Sequence, residues 1–107
     1  MSAARAPPDA TIERLRRRIE QVDRSLVGLY ADRRALVLEL WEHKQRRGLS
    51  LEDRSQEARI GQRARRWAAE ESVDPAEVER WILTTVADCK RAAQAAVERG
   101  APRPARC

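Results

Sequence analysis

From Thr11 onward apolar residues recur three and four apart, at Ile12, Leu15, Ile19, Val22, Leu26, Leu29, Leu36 and Leu40, with Arg33 breaking the seam. Glu13, Glu20, Arg24, Arg34 and Glu39 lie off that seam. The spacing predicts one amphipathic helix over 11–47, stopped at Gly48, the residue type that best takes a left-handed backbone. Such a helix is about 55 Å long at ~1.5 Å per residue, whereas a globule of this chain length spans roughly 35 Å. It is expected to project beyond its own fold and to pack its seam on a second copy of the chain.

A second helical stretch runs from about Asp53 to Glu71, with Ile60, Ala64, Trp67 and Ala68 at helical intervals and Ser50 as the expected cap. A third opens at Asp74-Pro75-Ala76-Glu77: a capping carboxylate, a proline at the first helical position and an acid two residues later. Val78, Trp81, Ile82, Thr85, Val86, Cys89 and Ala93 then mark a stripe expected to be buried, continuing to about Val97. The organisation expected is one all-α domain over 11–98, with residues 1–10 and 99–107 as disordered tails rich in Ala, Arg and Pro.

Composition sharpens this picture. Among 107 residues there is no Phe, there are four Gly, and Pro75 is the one proline between the tails, so an aliphatic core built by helices is favoured over sandwiches and barrels. The formal charge is +5, and all but two of the 22 basic residues are Arg, whose planar fork grips carboxylate or phosphate at two points. An anionic partner is implied. Yet Arg5, Arg99, Arg103 and Arg106 stand in the tails against one acid, Asp9, so little of the surplus belongs to the folded body. That weighs against nucleic acid as a partner, which calls for excess charge on one folded face. The RLRRR cluster at 14–18 and the Arg59, Arg63, Arg65, Arg66 group are interleaved with Glu13, Glu20, Glu57, Glu70 and Glu71, without a recognition motif. Cys89 and Cys107 offer neither metal spacing nor a disulfide framework. With no apolar run of signal-peptide or membrane-spanning length, a cytoplasmic protein with no membrane partner is expected.

Candidate chemistry begins with Arg33. A cation in an apolar seam needs an anion, because its desolvation otherwise costs several kcal/mol. The anion is either a ligand or a protein carboxylate such as Asp32 or Glu57; alternatively, Arg34 takes the solvent side while Arg33 snorkels. Lys44 follows eleven residues later, about three helical turns, and projects on the same side. Arg16 lies on the seam's flank about 40 Å from Lys44 at the ~1.5 Å rise, so one chain cannot unite them whereas an antiparallel partner can. An intersubunit cationic pocket is one consequence; an ordinary surface role for Arg16 is the other.

The stretch LRRRIEQVD (15–23), Asp32-Arg33-Arg34, Lys44, Gly48, Asp53, Glu57 and VDPAEVERWI (73–82) resemble the all-helical chorismate mutases over residues 11–94 without a gap. The resemblance implies three helices per chain with a long first helix, in an intertwined homodimer of the chorismate mutase II type with two active sites. By position it implies Arg16 as an arginine lent across the dimer and Arg33 as the in-chain one, together clamping two carboxylates. Lys44 is then the donor to the ether oxygen whose bond breaks, and Asp53 and Glu57 stand beside the ring hydroxyl. Gln56, Val86, Cys89 and Ala93 complete the substrate-binding set. From the residues alone, Asp53 can equally cap the second helix and Glu57 can pair with Arg33. The implied reaction, chorismate to prephenate, belongs to the shikimate pathway of aromatic amino acid biosynthesis. It is a concerted rearrangement of a dianion that asks for no cofactor, metal or nucleophile, only for conformational restraint and positive charge at the enolpyruvyl oxygen.

Three positions depart from the family pattern. Gln56 stands where an arginine is usual, Cys89 where a serine commonly faces the ring carboxylate, and Ala93 where a glutamine or glutamate shares the ether oxygen with the lysine. Gln94 is rotated by roughly 100° and cannot substitute. Losing that donor costs on the order of 3 kcal/mol of barrier lowering, about a hundredfold in rate. Two relatives of the fold therefore stay in view: a 4-amino-4-deoxychorismate mutase of antibiotic biosynthesis, whose ring amine would suit Glu57, Asp53 and Gln56, and an isochorismate pyruvate-lyase. A helical dimer that regulates a partner or binds nucleic acid is the non-enzyme alternative. Trp41, Trp67 and Trp81 are expected in core or interface packing, and His43 as a solvated last-turn residue.

Overall fold

A computed structural model describes residues 9–100 and shows three helices, with no strand among the described residues: α1 (Ala10–Arg46), α2 (Arg54–Glu70) and α3 (Pro75–Glu98). The chain divides into two compact units, one ending at Asp32 and the other beginning at Arg33, and α1 contributes to both.

Each helix end has an identifiable cause. Asp9 caps α1, its carboxylate accepting from the N–H groups of Thr11 and Ile12 at 2.9 and 3.3 Å. The helix thus starts inside the segment expected as a tail; residues 1–8 and 101–107 lie outside the described residues. Gly48, at φ +64°, stops α1 as expected: the Leu49 N–H donates to the Lys44 carbonyl at 2.9 Å and the Gly48 N–H to that of Gln45 at 3.1 Å, the paired bonds of a Schellman motif.

Asp53, and not Ser50, caps α2, accepting from the Gln56 N–H at 3.0 Å, while the Ser50 hydroxyl donates to the Glu52 carbonyl. Ser50 is too far ahead of Arg54 for the role, because a cap stands immediately before the first helical residue. The same stop as at Gly48 recurs after α2 with Ser72 at φ +58°, where Val73 donates to Ala68 at 2.9 Å and Ser72 to Ala69 at 3.2 Å. There a residue with a Cβ carries the left-handed backbone. α3 opens as expected, with Asp74 accepting from the Ala76 N–H at 3.0 Å and Pro75 in the first turn. Arg99 and Gly100, assigned from the sequence to a tail, form its closing turn.

In the unit that begins at Arg33, the closest packing is α2 on α3. Small buried residues permit it: Gly61, Ala64 and Ala68 on α2, and Val86, Cys89 and Ala93 on α3. A Cβ at Gly61 would come within 3.1 Å of the Glu79 carboxylate, which the Arg65 guanidinium holds at 3.0 Å. Trp41 of α1 is the one aromatic side chain buried among the described residues. Trp81 departs from the buried stripe expected on α3 and is 57% exposed. It precedes Val86 by five residues, which places it about 140° away around the helix. Trp67 is also largely exposed, as are Leu36 and Leu40.

In the other unit, residues 10–32 are a single helical stretch capped by Asp9. Ile12, Leu15, Ile19, Val22, Leu26 and Leu29 form its apolar seam, and each is between 45% and 65% exposed. Among the described residues no helix is long and apolar enough to cross a membrane.

Candidate active site

The unit from Arg33 onward contains a cleft of about 370 Å³, walled by the second half of α1, the segment before α2, and α2 and α3. Trp41, Ile60 and Val86 supply apolar wall, and four cations line it: Arg33, Lys44, Arg63 and Lys90. Among the described residues only two carboxylates, Asp53 and Glu57, oppose them, a surplus of two positive charges. Apolar surroundings strengthen the action of such charges relative to water. The shallow grooves along residues 15–28 are bounded by α1 alone and hold no comparable convergence.

Arg33 and Lys44 reach the cleft from one side of α1, as their spacing of eleven requires. The Nη1 atom of Arg33 is buried and has no hydrogen-bond partner among the described residues. The expected protein partners do not take it: no pair forms with Asp32, and Glu57 is engaged elsewhere. A desolvated, unmatched guanidinium nitrogen is a donor site for an anion.

Asp53 and Glu57 line the cleft four residues apart, from the cap and the first turn of α2. Asp53 does serve as the helix cap, one of the two roles open to it, and Gln56 between them also lines the cleft. Glu57 accepts a hydrogen bond of 2.6 Å from the Lys90 ammonium, which lies 3.1 Å from the Glu52 carboxylate as well. The bond to Glu57 raises the Lys90 ammonium above the usual lysine range against the opposing effect of burial, and Glu52 adds to the rise.

Val86 is brought to the cleft, but Cys89 and Ala93 are not: they are 0% and 2% exposed in the α2–α3 packing. Lys90 is the next residue after Cys89, turned by about 100°, so α3 presents Cys89 to the core and Lys90 to the cleft. Gln94 faces solvent and donates to Glu98 at 3.1 Å. Arg16 belongs to the unit ending at Asp32, where it is exposed and pairs with Glu13 at 3.2 Å. His43 is exposed, as expected.

Sequence reasoning missed Lys90 and did not single out Arg63 for the cleft. A signal for Lys90 existed: Lys44 and Lys90 are the only lysines in a chain with twenty arginines, and both line this cleft. Residues 15–94 match the family model for chorismate mutase type II. Searches of curated proteins and of solved structures found no match.

Proposed function

The chain belongs to the chorismate mutase type II family, and on that premise we propose that it rearranges chorismate to prephenate in a homodimer with two shared active sites. The observation that carries this proposal is the surplus of two positive charges in the cleft, with the buried Arg33 Nη1 unpartnered. Chorismate is a dianion, so its charge complements that surplus. A carboxylate entering the cleft gives Arg33 the partner it lacks and converts a desolvation cost into binding.

Bond cleavage and bond formation occur in one concerted step, and no proton has to move. The residues' work is to hold the enolpyruvyl arm over the ring and to meet the charge that grows on the ether oxygen. Lys44, on the same side of α1 as Arg33, donates to that oxygen. Asp53, Gln56 and Glu57 surround the ring hydroxyl, with Val86 as apolar wall. Cys89 and Ala93 support α3 from behind and make no substrate contact. The second carboxylate is held by Arg16 of a second copy. The exposed seam from Ile12 to Leu40 supports such an assembly, because burying it against another chain recovers about 25 cal/mol for each Å² of apolar surface removed from water.

The test is a panel assay of purified protein against chorismate, 4-amino-4-deoxychorismate and isochorismate, with product identification. Prephenate from chorismate is expected. Exclusive turnover of the amino compound, or pyruvate release from isochorismate, would assign the chain to those activities instead. Turnover of none would leave a non-catalytic member of the fold.

A further inference from the structure

We propose that Lys90 is a specificity-determining residue: by holding the Glu57 carboxylate it fits the cleft to an uncharged ring hydroxyl and turns away a ring ammonium at the same place. The inference rests on the substrate class proposed above. Two carboxylates four residues apart on one face of α2, Asp53 and Glu57, would by themselves form a cation site. Lys90 already neutralises the Glu57 half of it, 2.6 Å from Glu57 Oε1, with three-quarters of its side chain out of solvent, while Asp53 serves as the cap of α2. A second ammonium brought beside Glu57 meets a like charge across a partly desolvated gap. A hydroxyl meets none, and Glu57 Oε2 is the oxygen left to accept its hydrogen bond.

Charge balance gives the same answer. Among the described residues of one chain the cleft carries four cations against two carboxylates, which suits a dicarboxylate bearing a neutral hydroxyl. Without Lys90 the surplus falls to one, which suits a dicarboxylate whose ring ammonium leaves it a net monoanion. Lys90 also reaches Glu52 at 3.1 Å, so a rival role is a staple that ties the segment before α2 to α3. The two roles separate experimentally, because a staple treats both substrates alike.

The experiment compares chorismate with 4-amino-4-deoxychorismate in wild type, Lys90→Met, Lys90→Arg and Glu57→Gln. It reads kcat/KM for each compound, together with binding followed by fluorescence of Trp41 and Trp67, which line the cleft. Wild type should prefer the hydroxyl compound. Lys90→Met should shift the ratio toward the amino compound by at least about tenfold, the scale of one charge-assisted contact. Lys90→Arg should keep the wild-type ratio. Glu57→Gln, which removes the nearer of the two carboxylates that hold Lys90 and leaves Glu52 at 3.1 Å, should shift the ratio the opposite way and provides the test should Lys90→Met fail to fold. Equal losses on both compounds, or a wild type that prefers the amine, would overturn the role of Lys90 while leaving the mutase proposal intact. A wild type that neither binds nor converts either compound would overturn the substrate class itself, and this inference with it.

Discussion

Replacing Arg33 by Met removes the guanidinium while keeping much of the side chain's length, so the apolar stem that lines the cleft is largely preserved. Arg33 Nη1 is buried without a partner, and its loss from the unliganded protein removes a desolvation cost rather than a contact. An unmatched buried donor costs about 1–3 kcal/mol; because the rest of the residue is only half-buried, stability should stay level or rise by about 1 kcal/mol. Activity should move the other way. A two-point grip on a carboxylate comprises two charge-assisted hydrogen bonds, together worth about 4 kcal/mol, so kcat/KM for chorismate should fall roughly a thousandfold. Disappearance of chorismate by ultraviolet absorbance and thermal unfolding, measured on the same preparations, give both numbers. A loss in activity under about tenfold, or a drop in Tm as marked as the drop in rate, would show that Arg33 holds the fold together and does not bind substrate.

Three further outcomes follow from particular residues. Ser72→Gly relieves a left-handed backbone at φ +58°, and even after glycine's greater freedom in the unfolded chain it should add about 0.5–1 kcal/mol and raise Tm by a few degrees. Leu26→Asp places a charge in the exposed seam and should shift sedimentation toward monomer with loss of activity; wild-type-like sedimentation and rate would remove that seam from the interface. Glu79 is held below the usual carboxylate range chiefly by its hydrogen bond to Arg65. Its contribution to stability is therefore present above its ordinary pKa and fades as pH falls through the depressed one. The Tm difference between wild type and Glu79→Gln should be constant near neutral pH, shrink in acid and diminish with salt; a difference that persists in strong acid would assign it to packing against Gly61.

Local signals made the helices legible. The seam from Ile12 to Leu40, the stop at Gly48 and the Asp74-Pro75 opening of α3 each act within a turn or two of chain, and each appears in the structure where the spacing put it. The i, i+11 relation of Arg33 and Lys44 survives for the same reason: both stand on one rigid helix. Positions whose environment depends on how α3 rotates against α2 were not legible. Cys89, Lys90 and Ala93 lie within four residues, and a rotation of about 100° decides which face the core and which the cleft. The Lys90–Glu57 bond joins residues 33 apart, beyond any local pattern. No glycine marks the helix stop at Ser72, and composition alone does not separate the Ser50 hydroxyl from the Asp53 carboxylate as a cap until the first residue of α2 is fixed at Arg54.

Subunit complementation tests the shared site most directly. Arg16→Ala and Lys44→Met homodimers should each be nearly inactive. When the two are unfolded together and refolded, each mixed dimer contains one site with both lesions and one with neither, so about a quarter of wild-type activity should return at equal mixing. If Arg16 and Lys44 instead served a site within one chain, every site in the mixture would carry a lesion and no activity would return.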